Sequence, residues 1–120
     1  MENIEKIYLD GVFVISVNAM RATLNEAIAL RKIVKEDINF GHTKLVIDLS
    51  KCTYIDSNFF GAIIAASRML IDIGYKLKVV KPNFAGEFIF ISTDTLRLLD
   101  IYGTRKEAIK SFEEDIQPES

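Results

Sequence analysis

Leu45-Val46-Ile47-Asp48-Leu49-Ser50-Lys51-Cys52-Thr53-Tyr54-Ile55-Asp56-Ser57-Asn58-Phe59-Phe60-Gly61-Ala62 is the stretch from which the fold is read. It opens on a continuous apolar run, Leu45-Val46-Ile47, that stops at Asp48. A strand buried on both faces has this composition, and such strands belong to parallel sheets covered by helices. Asp56-Ser57-Asn58 then opens an apolar segment that Gly74 ends, which predicts a helix over Ser57–Ile73. Strand, short loop and helix start together place Ser57 just past the carboxyl end of a buried strand. Open α/β sheets receive ligands and partners at that position.

Working outward, Ile4–Leu9 and Val12–Val17 read as strands joined by the hairpin pair Asp10-Gly11. Leu24–Phe40 reads as a helix. Its apolar face is Ala27, Leu30, Val34 and Ile38, its start is capped by Thr23 with Glu26 in a capping-box pattern, and Gly41 ends it. Downstream, Leu77, Val79 and Val80 form a strand stopped by Pro82. Asn83–Ile91 reads as a short helix, with Phe84, Phe88 and Phe90 also suiting a strand, and Asp94–Asp100 as a turn or short helix leading into a strand at Ile101-Tyr102. Thr104–Phe112 is a last helix, with Thr104 and Glu107 in a second capping-box pattern. Strands alternating with helices predict an α/β fold. Its sheet is mixed, of four to five strands, mainly parallel with an antiparallel hairpin, and the two longest helices share one face. The expected organisation is one domain over residues 1–116 and a loose tail over 117–120.

Composition narrows the function. Lysine and arginine number 15 against 17 aspartates and glutamates, a net charge of -2 without the basic excess of a nucleic-acid binder. The nearest thing to a basic stripe is Lys76, Lys78 and Lys81 around one strand. The lone Cys52 excludes an intramolecular disulfide and a cysteine zinc site, and fits a reducing compartment. Phe59–Ile73 is broken by Arg68 and Asp72 and is too short to span a bilayer, so no membrane insertion is expected. No glycine-rich phosphate loop is present, and no cofactor or metal is expected. The only histidine, His42, sits in a Gly-His-Thr loop and reads as exposed and inert. The expected location is the cytoplasm of a bacterium.

The quoted stretch resembles the STAS family. That family carries an apolar strand ending in Asp-Leu-Ser, a loop of a few residues, and Asp-Ser-Ser/Thr-Gly-Leu-Gly at a helix start. Asp48-Leu49-Ser50, Ile55, Asp56, Ser57 and Gly61 match it. Asn58 stands where the second Ser/Thr is usual, Phe59 where the first glycine is, and Phe60 where leucine is. The Lys78-Val79-Val80 strand and Ile101-Tyr102 before Glu107-Ala108 extend the resemblance over nearly the whole chain. The resemblance implies an interaction module of the anti-sigma factor antagonist type, not an enzyme. Its partner would be an anti-sigma factor that is a serine kinase of the histidine-kinase-like ATPase type, and the serine phosphorylated by it would be Ser57.

Three readings of these residues stay open. The first is that phospho-switched antagonist. The second is a constitutive accessory subunit of a transporter, of the lipid-transport ATPase type, built on the same fold. The third is a small enzyme or ligand-binding domain using Asp48, Asp56 and Ser57. The expected docking surface is Asp56, Ser57, Asn58, Phe59 and Ala62, with Asp48 and Gly61 supporting the motif. It requires one face of the helix, Phe60, Ile63, Ile64 and Ser67, to lie on the sheet, so that Phe59, Ala62, Ala66 and Met69 project outward. The alternative is that flanking helices cover those residues. Ser57 itself could serve as a helix cap. Asp48 could hold loop N–H groups, and Cys52 reads as a small packing residue rather than a nucleophile.

Overall fold

The computed structural model describes residues 3–82 and 93–115. Its strands are β1 (Ile4–Leu9), β2 (Val12–Val17), β3 (Arg21–Ala22), β4 (Leu45–Asp48), β5 (Tyr54–Ile55), β6 (Leu77–Val80) and β7 (Leu99–Tyr102). Its helices are α1 (Leu24–Asn39), α2 (Ser57–Asp72), α3 (Thr93–Leu98) and α4 (Arg105–Glu114). The expected helix over Asn83–Ile91 and the expected tail over 117–120 lie outside the described residues.

The main sheet has five strands in the order β1-β2-β4-β6-β7. Only β1 is antiparallel to its neighbour; β2–β4, β4–β6 and β6–β7 are parallel. The β1–β2 turn places Asp10 at φ 53° and Gly11 at φ 83°. Two successive left-handed residues give the turn whose twist matches that of the flanking strands, and Asp-Gly accepts it at little cost. Beside the main sheet, β3 and β5 form a second, two-stranded parallel sheet. No sequence period announces strands of two residues.

The pleat sorts the core into two layers. Ile15, Val17, Leu45, Ile47, Leu77, Val79 and Leu99 face α1 and α2 in the larger cluster. Val12, Val14, Val46 and Val80 face Ala108 of α4 in the smaller one. The two longest helices therefore share one face, as expected, and α4 covers the other. In α2 the buried residues are Phe59, Ala62, Ile63, Ala66, Ser67 and Leu70. This corrects the expected docking surface, since Phe59 and Ala62 are both 0% exposed. Of the expected sheet-facing residues, Ile63 and Ser67 are buried, while the buried face extends to Phe59, Ala62, Ala66 and Leu70, which the flanking elements cover. Phe60 and Ile64 pack half-buried on the flank of the larger cluster.

Lys78 agrees with the absence of a basic stripe on the surface. It sits mid-strand under α4 and is 1% exposed. Its ammonium donates to Asp115 at 2.7 Å and to the Tyr102 hydroxyl at 3.4 Å, and lies 4.4 Å from the centre of the Phe112 ring. Burial alone would push this ammonium's pKa down; the bonds to Asp115 and Tyr102 outweigh it and hold the pKa above the ordinary lysine value. His42 is not a free loop residue either. Its ring stacks on Phe13 with centroids 4.2 Å apart, and its Nδ1 lies 3.1 Å from the buried Asp37 carboxylate that Lys6 also meets.

The position of Phe59 yields a direct test. Phe59→Ala is expected to cost about 3–5 kcal/mol of unfolding free energy, the range for truncating a core aromatic. Urea unfolding followed by circular dichroism measures it. A loss below about 1 kcal/mol would place the ring outside the core.

Candidate functional site

The site is built where β4 ends. Asp48 closes the strand, and its Oδ1 accepts the Ser50 N–H at 2.9 Å, turning the chain into the loop 49–53. The Leu49 N–H donates to the Val80 carbonyl, and the Cys52 N–H to the Leu49 carbonyl. At the far end of the loop the Met20 carbonyl accepts from the N–H groups of Thr53 and Tyr54 at 2.7 and 3.0 Å, and from the Thr53 hydroxyl at 3.1 Å. Pairing of Arg21-Ala22 with Tyr54-Ile55, and the Asp56 N–H donating to the Ala22 carbonyl, fix the start of α2 beside the start of α1.

Asp56 is the N-cap of α2, with its carboxylate accepting the Phe59 N–H at 2.9 Å. Ser57 is therefore the first residue inside the helix and not its cap. Ser57 and Asn58 are both exposed. No hydrogen bond of the Ser57 hydroxyl is found among the described residues. A hydroxyl there stands at the positive end of the helix dipole, next to N–H groups that lack intrahelical acceptors. Gly61 lies one turn further on. A Cβ added there would sit 3.6 Å from the Arg31 guanidinium, an ordinary contact, so packing between α1 and α2 does not demand a glycine.

Of the expected surface residues, the fold brings Asp56, Ser57 and Asn58 to the surface or its margin and withdraws Phe59 and Ala62. Sequence reasoning missed what replaces them. Met20, Leu24 and Tyr54 are exposed large apolar side chains, at 68%, 54% and 42%. The β3–β5 pairing sets the Met20 backbone against Tyr54 ahead of the start of α2, and the Arg21 guanidinium covers the Tyr54 ring at 4.2 Å. The available signal was the run Met20-Arg21-Ala22-Thr23-Leu24, whose large apolar residues alternate with nothing helical before a cap.

The enzymatic alternatives find no support in the geometry. His42 precedes β4 and Ser57 follows it, so the length of the strand, about 13 Å, separates them. Cys52 is buried against the Val17 carbonyl. Burial pushes its thiol pKa up to about 11, with the charges of Asp48 and Glu26 adding to the effect. A thiol so protonated is a packing group. Among the described residues no cluster of His, Cys, Asp and Glu could hold a metal ion, and no helix is long and apolar enough to cross a membrane.

The division of labour at the helix start is testable by stability alone. Asp56→Ala should cost about 1 kcal/mol through loss of the cap. Ser57→Ala should stay within about 0.5 kcal/mol of the parent, as exposed substitutions away from special contacts do. Chemical denaturation of both variants measures this, and the reverse order would make Ser57 the cap.

Comparison with known proteins converges on one family. A model of the STAS domain matches residues 4–108. A candidate anti-sigma factor antagonist of Thermotoga neapolitana, the TM1081 homolog, is 28% identical over 81 residues, covering 68% of this chain and 72% of that protein. The crystal structure of the candidate antagonist TM1081 of Thermotoga maritima superposes with a TM-score of 0.77 at 24% identity, over 92% of this chain and 94% of that one. The Bacillus cell-fate determinant SpoIIAA, in its phosphorylated form, superposes with a TM-score of 0.72 at 15% identity, over 91% and 98%. At such identities the two structures speak for the fold. Anti-sigma factor antagonists of this family are regulatory proteins without enzymatic activity. On the family match across most of its length, this chain belongs to the STAS domain family.

Proposed function

We propose that this chain is a phosphorylation-switched anti-sigma factor antagonist. It docks on an anti-sigma factor that is itself a serine kinase of the histidine-kinase-like ATPase type. The kinase transfers phosphate to Ser57, and phosphorylation ends the docking. The setting is the cytoplasm of a bacterium, the process regulation of transcription, and the working unit one module over residues 1–116.

The observation that carries this reading is the position of Ser57. Its side chain is exposed at the first residue of α2, with Asp56 taking the capping role that would otherwise occupy it. A phosphate there meets unpaired N–H groups and the positive end of the helix dipole, so the helix tolerates it. It also adds about 1.5 to 2 negative charges to the surface. Met20, Leu24 and Tyr54, on the segments that lead into α1 and α2, are exposed apolar side chains that a partner could desolvate on docking. A partner surface shaped for a neutral serine is repelled by a dianion. The naming of similar proteins as anti-sigma factor antagonists, and the existence of a phosphorylated form of a protein with this fold, support the same reading.

The test is incubation with ATP and a serine kinase of the histidine-kinase-like ATPase type from the same genome, followed by mass spectrometry and affinity measurement. The expected result is one phosphate, on Ser57, and a loss of affinity. Ser57→Ala should remain unphosphorylated and still bind. Ser57→Asp should bind more weakly than the parent but better than the phosphoprotein, because a carboxylate carries one charge and lacks the third oxygen. Equal binding by the parent, Ser57→Asp and the phosphoprotein would remove the switch. A stable complex with a transport ATPase in place of a kinase would establish the constitutive-subunit reading instead.

A further inference from the structure

We propose that Arg105, the first residue of α4, is a positioning residue for the loop that presents Ser57. Arg105 lies on the opposite face of the sheet from α2, yet its guanidinium reaches the carboxyl end of the strands. Nε donates to Asp48 Oδ2 at 2.9 Å and Nη2 to Ser16 Oγ at 3.2 Å. The Ser16 hydroxyl donates to Asn18 Oδ1 at 2.7 Å, and the Asn18 amide to Glu5 at 3.3 Å. The other Asp48 oxygen accepts the Ser50 N–H. One carboxylate is thus divided between the start of α4 and the first turn of the signature loop.

The arrangement makes the loop conformation depend on Arg105. Asp48 and Ser16 are both buried. A buried carboxylate is retained when paired and hydrogen-bonded, and becomes costly when its partner is removed. The planar fork of arginine fixes the orientation of the carboxylate as well as its charge. Without the guanidinium, the Asp48 carboxylate loses the partner that fixes its orientation and turns toward water. That change weakens the acceptor that holds the Ser50 N–H, and with it the turn from which Cys52 and then Asp56-Ser57 follow. Arg105 therefore acts on the loop through Asp48. Anything that shifts the start of α4, on the face away from α2, changes how Ser57 is presented.

This inference rests on reading Ser57 as the working end of the loop, but its test needs no kinase. Amide hydrogen exchange by NMR on the purified chain compares the parent with Arg105→Gln, Arg105→Lys, Asp48→Asn and the Asp48→Asn/Arg105→Gln double variant. In Arg105→Gln the Ser50 and Cys52 amides should exchange about tenfold faster or more, while Val14, Val46 and Val79 change less than about twofold. Arg105→Lys, which keeps the charge and loses the fork, should recover part of the protection. The double variant should be no worse than the worse single one, because both break the same link. Unchanged loop exchange, uniform acceleration across the sheet, or additive effects in the double variant would each overturn the proposal. Absence of phosphate on Ser57 alongside Arg105-dependent loop exchange would refute the switch and leave the positioning role standing.

Discussion

Leu45, Val46, Ile47 and Asp48 sit in the middle of the main sheet between β2 and β6, with neither face open to water. That double burial governs the rest. Leu45 and Ile47 require a layer above them, which α1 and α2 supply; Val46 requires one below, which α4 supplies. A strand enclosed in this way cannot carry a functional group along its length. The chain reaches the surface only at the two ends of the strand, at Lys44 before it and at Ser50 after it. The proposed docking residues lie beyond the carboxyl end, where Asp48 turns the chain toward the start of α2.

Much of this was legible before the structure, and the reasons are local. The Asp10-Gly11 turn, the Thr104 cap with Glu107, and the glycines Gly41 and Gly74 after α1 and α2 each work through a few neighbouring atoms. Their sequence signals are correspondingly direct. The helix boundaries followed to within a residue or two, and the alternation of strands and helices fixed the sheet as mostly parallel. What escaped is what depends on three dimensions. The strands Arg21–Ala22 and Tyr54–Ile55 are too short to show a period, and exist because the start of α1 is held against the start of α2.

The direction in which α2 faces was underdetermined for a different reason. Phe59, Phe60, Ile63 and Ile64 give the helix apolar residues on neighbouring faces, so periodicity alone leaves two orientations one residue apart. The fold decides between them, burying Phe59, Ala62, Ile63, Ala66, Ser67 and Leu70 and leaving Phe60 and Ile64 half-buried. Lys78 is the polar member of an otherwise apolar strand. In the fold it lies beneath α4 with its ammonium held among Tyr102, Phe112 and Asp115. A long side chain buried by its methylenes and paired at its tip satisfies both demands.

These two layers bear differently on function. The α1–α2 side is held by large apolar contacts that a phosphate at Ser57 would not touch, so charge can change at the surface while the core stays as it is. The α4 side is held by a smaller apolar cluster with an ion pair near each end, Arg105 with Asp48 and Lys78 with Asp115. Ion pairs of this kind hold only in one geometry, since each buried charge depends on its partner's position. The apolar layer therefore supplies a rigid base for the start of α2, and the ionic layer fixes the register of α4 against the sheet. Asp48 joins the ionic layer to the loop through its two oxygens, which is why the residue that ends the buried strand also sets the loop that follows it.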